Sequence, residues 1–191
     1  MTTVVMVIDM ERGFTDPAGA LYAGDSVRAI IDPIRDILKA EQARGSKIIF
    51  TRDWHDPDDP EFKMWPPHCV KDTWETEIDP ALAEFTENAI IINKRRYSAF
   101  FDTDLDAILR QINPDQVIVT GVATDICVMY TTADLRNRDY PVVIPANAVT
   151  SFDPEAHAFA LKHMEKILGV TVVPDYETWL RPQQKEGAPH D

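Results

Sequence analysis

The sequence predicts an α/β fold: a doubly wound, mostly parallel six-stranded sheet with helices on both faces. Three observations carry this. Short apolar, β-branched runs alternate along the chain with segments of helical periodicity. The runs are continuously apolar rather than alternating, which is the pattern of strands buried on both faces. The chain has 191 residues, 45% hydrophobic and 27% charged, enough for one domain with a sizeable core.

Val4-Val5-Met6-Val7-Ile8 is the first strand and ends at Asp9. Asp25 to Arg44 follows as a helix, with Val27, Ile30, Ile31, Ile34, Ile37 and Leu38 on one face and Gly45 as a stop. Pro33 inside it predicts a kink or a break. Lys47 to Thr51 is the second strand. Arg52 to Asp79 is a long stretch rich in Pro, Asp and Trp, and such a loop inside a compact domain is usually functional. Ala89 to Ile92 is strand three, Asp104 to Ile112 a helix, and Gln116 to Thr120 strand four, closed by Gly121. Ile126 to Arg138 is helical, Pro141 to Ile144 is strand five, Pro154 to Leu168 a helix and Val170 to Val173 strand six. One domain is expected over 1–180, with a polar, frayed tail over 181–191.

A net charge of -13 repels phosphate backbones, which excludes nucleic acid and anionic membranes as natural partners. No apolar run approaches the roughly 20 residues that span a bilayer. The N-terminus lacks the basic segment of a signal peptide, so a cytoplasmic location is expected. Cys69 and Cys127 are expected to be free thiols, since a chain of this size needs no disulfide.

Ligands of open α/β sheets bind beyond the carboxyl ends of the strands. Asp9, Asp53 with His55, Lys94 and Cys127 follow strands one to four in turn, so they meet on one rim. Thr124 and Asp125 are good caps for the next helix, which puts Cys127 in its first turn. The dipole there favours a thiolate, and the amides can hold an oxyanion. Taken alone, Cys127 fits a packed core thiol at least as well. Asp9 alone fits a turn cap, and Lys94 alone fits surface charge beside Arg95 and Arg96.

In the long loop, Asp53 and His55 are two apart and point the same way from an extended segment. With His68 they make an N/O set suited to Zn²⁺, Fe²⁺ or Mn²⁺. Glu61 is a further ligand candidate. Asp56, Asp58 and Asp59 compete with it, but read more simply as a solvated acidic loop. Cys69, adjacent to His68, should point away from any such site.

Four blocks together resemble the isochorismatase-like cysteine hydrolases, and within them the nicotinamidases. They are Ile8-Asp9-Met10 with Phe14; Thr51-Arg52-Asp53-Trp54-His55 through Trp65-Pro66-Pro67-His68-Cys69-Val70; Lys94 with Tyr97-Ser98-Ala99-Phe100; and Gly121-Val122-Ala123-Thr124-Asp125-Ile126-Cys127-Val128. The resemblance runs from about Val4 to Val173. It implies a triad of Asp9, Lys94 and Cys127, and an oxyanion hole from the amides of Ala123 and Cys127. It also implies a cis peptide at Val122-Ala123 and one divalent metal, zinc foremost, on Asp53, His55 and His68 with Glu61. Phe14, Trp65, Tyr97 and Ala123 are expected around a flat substrate ring. Two departures bear on the substrate: only Arg95 and Arg96 separate Lys94 from the Tyr-Ser-Ala-Phe block, and Glu11 and Arg12 stand where amides are common. The expected partners are a small amide substrate and further copies of the chain.

Overall fold

Strand β1 (Thr3–Ile8) is buried at every position because both faces are covered. Its alternate residues serve two separate cores. Val5 and Val7 pack against helix α2 (Asp25–Ala43), whereas Val4, Met6 and Ile8 face the opposite layer. The continuous apolar run in the sequence is the consequence. The computed structural model of the protein describes residues 1–186.

The remaining elements follow in order. A single turn, α1 (Arg12–Thr15), precedes α2; then come β2 (Lys47–Asp53), β3 (Ile90–Lys94), α3 (Leu105–Ile112), β4 (Gln116–Val122) and α4 (Met129–Arg136). They continue with β5 (Val142–Pro145), β6 (Val149–Thr150), α5 (Pro154–Leu168), β7 (Thr171–Val173) and α6 (Tyr176–Glu186). The sheet order is β3-β2-β1-β4-β5-β7, and every strand pair in it is parallel. α2 and α6 cover one face; α3, α4 and α5 cover the other. The order reverses between β1 and β4, which places the ends of those two strands at the switch point where such sheets bind ligands.

Several boundaries differ from the sequence reading. A seventh strand, β6, pairs with the end of β4 through Gly121–Val149 and Val122–Thr150, and two residues are too few to show periodicity. α2 runs unbroken through Pro33. The carbonyl that loses its donor there is that of Ala29, an exposed residue open to water. The tail expected from Arg181 is helical as far as Glu186, because α6 begins at Tyr176; residues 187–191 lie outside the described residues. Tyr176 anchors α6 by donating a hydrogen bond to the buried Glu41 of α2. No helix among the described residues is long and apolar enough to cross a membrane.

Candidate active site

Asp9 leaves β1 in the left-handed region, with φ at 50°. Two hydrogen bonds hold its amide there, to the Thr51 carbonyl at 3.2 Å and to Thr51 Oγ1 at 3.1 Å. The same hydroxyl donates to Asp9 Oδ1 at 2.5 Å. The last residue of β3, Lys94, turns inward rather than joining Arg95 and Arg96 at the surface. Its Nζ lies 2.8 Å from Asp9 Oδ2 and 3.5 Å from Cys127 Sγ, and it also donates to Asp53 Oδ1. Asp9, Lys94 and Cys127 therefore meet on one rim, as expected from the strand ends.

Burial and charge compete at all three groups. Burial pushes the Lys94 ammonium down, but Asp53 and Asp9 outweigh it and hold the group well above the usual lysine range. Burial pushes the Asp9 carboxyl above its ordinary value against the pull of Lys94. Burial likewise pushes the Cys127 thiol well up, with Lys94 opposing in part. Burial thus works against the thiolate that a helix dipole alone would favour, and Lys94 works for it. Residues Thr124–Val128 form a wide π-helical turn before α4, and neither Thr124 nor Asp125 caps it. Thr124 Oγ1 instead meets His157 Nδ1 at 2.8 Å, and Asp125 accepts from Ser151 Oγ. The Ala123 carbonyl takes the amides of Ile126 at 3.0 Å and Val128 at 3.1 Å, and the Val122-Ala123 peptide is cis.

Beside this cluster, Asp53, His55 and His68 bring one donor atom each within 4.8 Å of one another, all buried. His55 Nδ1 is held by Asp59 Oδ2 at 3.1 Å and His68 Nδ1 by the Pro66 carbonyl at 2.8 Å. That leaves both Nε2 atoms facing Asp53 Oδ2, each 3.6 Å away. His55 Nε2 is buried and has no hydrogen-bond partner. An orphaned imidazole nitrogen, second nitrogens fixed by a carboxylate and a carbonyl, and a carboxylate opposite together fit a divalent cation. Burial pushes Asp53 up, but Lys94 and the two histidines outweigh it and keep the carboxyl well below its usual range.

Glu61 stands next to this set rather than inside it: its carboxylate groups with His55 and Asp59, and Arg96 reaches it at 3.5 Å. Asp59 corrects the reading of a solvated acidic loop. Asp56 and Asp58 are exposed, but Asp59 is buried against His55 and Arg96, and its Oδ1 caps the following turn through the Glu61 amide at 2.9 Å. The Asp59-Pro60 pair before that turn was the signal for it. Cys69 turns away, as expected, and packs against Gly13 outside the donor set. Both cysteines are free.

A pocket with about 350 Å³ of empty space, part of it open solvent, opens over Cys127. Phe14, Trp65, Tyr97 and Ala123 line it, as expected, together with Glu61. Trp65 Nε1 donates to the Tyr97 hydroxyl at 3.1 Å, which ties two of those walls together. The sequence reading missed Leu21, Val122, Ile126 and Phe152, which also line it, and gave no role to Thr51, which bonds Asp9. Glu11 takes the place of a common amide, and its Oε1 accepts the Asp53 amide at 2.7 Å. No Lys or Arg lines the pocket among the described residues.

A buried Asp-Lys-Cys cluster thus lies at the switch point of a parallel sheet, with an Asp-His-His donor set alongside. Residues 3–173 match the isochorismatase domain, and the chain belongs to that family. It is 38% identical to the crystal structure of a pyrazinamidase/nicotinamidase from Streptococcus mutans UA159, with a TM-score of 0.85 over 90% of this chain and 100% of that one. It is 32% identical to a pyrazinamidase of Pyrococcus horikoshii in complex with zinc, with a TM-score of 0.83 over 91% and 99% of the two chains. The isochorismatase-family protein PncA of Bacillus subtilis (strain 168) is 33% identical over 181 residues, 90% of this chain and 99% of that one. These relatives support an amidohydrolase.

Proposed function

We propose that the protein is a cysteine amidohydrolase that converts nicotinamide and water to nicotinate and ammonia. The observation that carries this reading is Lys94 Nζ at 2.8 Å from Asp9 and 3.5 Å from Cys127 Sγ, with Asp9 and Cys127 themselves lining an aromatic-walled pocket. The relatives that bear nicotinamidase or pyrazinamidase names support the substrate.

In this reading Asp9 removes the Cys127 proton as sulfur attacks the carboxamide carbon. Its raised pKa makes it a stronger base for that task. Lys94 stays charged and steadies both anions. The amides of Ala123 and Cys127 receive the oxyanion. The tetrahedral intermediate collapses as Asp9 returns the proton to the departing nitrogen; ammonia leaves and a thioester remains. Water then attacks the thioester, with Asp9 as base, releases nicotinate and restores the thiol. Asp53, His55 and His68 would hold a divalent ion, zinc foremost since a relative binds it, which would supply Lewis acidity next to the reacting group. Phe14, Trp65 and Tyr97 clasp the ring.

Ammonia release from nicotinamide tests the proposal, with Cys127→Ala as the blank and a chelator arm to read the metal requirement. Turnover that survives Cys127→Ala, or ammonia from aliphatic amides but none from nicotinamide, would overturn it.

A further inference from the structure

Phe152 enters the pocket from a part of the chain with no motif of its own. It lies two residues beyond β6, whose pairing with β4 at Val122–Thr150 carries that loop to the nucleophile turn. The next residue back, Ser151, donates to Asp125 inside the turn, so the loop is tied to the segment that bears Cys127. The Phe152 ring stands 6.3 Å from that of Trp65 at an interplanar angle of 33°. Trp65 cannot swing freely, because Tyr97 holds its indole and in turn packs on Tyr130 at 5.6 Å. Phe152 is 39% exposed, with one part of the ring lining the pocket and the rest in solvent. A large apolar side chain kept half in water at a pocket mouth has no core to serve.

We propose that Phe152 is a specificity-determining residue: with Trp65 it covers the end of the substrate remote from the carboxamide and selects neutral planar rings over short aliphatic amides. This rests on the amidohydrolase reading of the site. The geometry supports it on two counts. A planar ring brought to Cys127 extends as far as the Trp65–Phe152 pair and gains contact area against both side chains. An acetamide-sized group fills only the floor and reaches neither.

The test compares wild type with Phe152→Ala and Phe152→Tyr on nicotinamide and acetamide. Because Phe152 is partly exposed, truncation should leave the fold intact, and circular dichroism checks it. The preference for nicotinamide, as the ratio of kcat/KM values, should fall by about fivefold to tenfold in Phe152→Ala, the scale of one lost aromatic contact. The fall should come from KM, and Phe152→Tyr should restore the ratio. A second arm measures benzamide binding by calorimetry in the Cys127→Ala background, where Phe152→Ala should weaken Kd by a similar factor. An unmoved ratio, a loss carried by kcat, or an unmoved benzamide Kd would overturn the proposal. Absent turnover of nicotinamide in the wild type would instead count against the amidohydrolase reading, and the binding arm would still decide the role of Phe152.

Discussion

Lys94 Nζ lies 2.8 Å from Asp9 Oδ2, and both side chains are sealed from solvent. Removal of one partner of a buried pair leaves an uncompensated charge, at a typical cost of about 3–5 kcal/mol. Asp9→Asn, Lys94→Ala and the double variant should therefore lose activity to similar extents, because groups that act as a unit are not additive. Steady-state rates on one amide check this. A double variant far worse than either single one would show that the two residues act separately.

The two thiols should behave differently. Cys127 lies under the pocket, whereas Cys69 is packed so closely on Gly13 that a Cβ there would sit 2.4 Å from its sulfur. Burial also pushes the Cys69 thiol far above its ordinary range. Cys127→Ala should abolish turnover with the fold intact. Cys69→Ala should keep most activity and lose about 1 kcal/mol of stability to a small cavity. Equal loss of activity in both would place the nucleophile wrongly.

Asp59 fixes which nitrogen of His55 faces Asp53. Loss of such an orienting partner typically costs about 10- to 100-fold in metal affinity. Competition for zinc against a chromophoric chelator should show that weakening in Asp59→Ala, and not in Asp56→Ala, whose carboxylate pairs with Lys71 at the surface. Equal affinity in both variants would remove Asp59 from the account.

The Thr51 hydroxyl favours the ionised form of Asp9 by donating to it at 2.5 Å. Thr51→Val removes that donor and keeps the shape. The Asp9 pKa, already raised by burial, should then rise further. If the reaction requires ionised Asp9, the acid limb of kcat/KM moves to higher pH, by about half a unit to one unit. An acid limb that stays put or moves down would assign it to another group.

Six of the strands were legible because a sheet covered on both faces demands continuous apolar runs, as in Val4 to Ile8. The rim chemistry followed from those strand ends. What escaped the sequence was set by distant contacts. The Tyr176 hydroxyl docks α6 through Glu41, 135 residues away, and no local pattern encodes that. Phe152 reaches the pocket through β6, a strand of two residues. Asp59 was hidden by composition, since Asp56 and Asp58 beside it are indeed solvated and only its place as a cap before Pro60 sets it apart.

Gly121 links the backbone to the chemistry most directly. It stands one residue before the end of β4 with φ at +105°, and a Cβ there would meet the Ile8 carbonyl oxygen at 2.0 Å and the Ile8 nitrogen at 2.8 Å. Those atoms are main chain, so β1 and β4 would have to separate, and Asp9 follows Ile8 directly. Gly121→Ala thus moves Asp9 relative to Cys127 without touching a reactive group. A misplacement of about 1 Å can cost about 100-fold in rate. The variant should lose activity on that scale, with a lowered Tm from strain at a backbone angle that L residues rarely adopt. Alkylation of Cys127 by iodoacetamide separates the two effects: a folded Gly121→Ala protein should alkylate at a changed rate if the Asp9–Lys94–Cys127 spacing has shifted. Near wild-type turnover in that variant would mean that the strand ends yield without disturbing the site, and the close contact of β4 with Ile8 would lose its functional meaning.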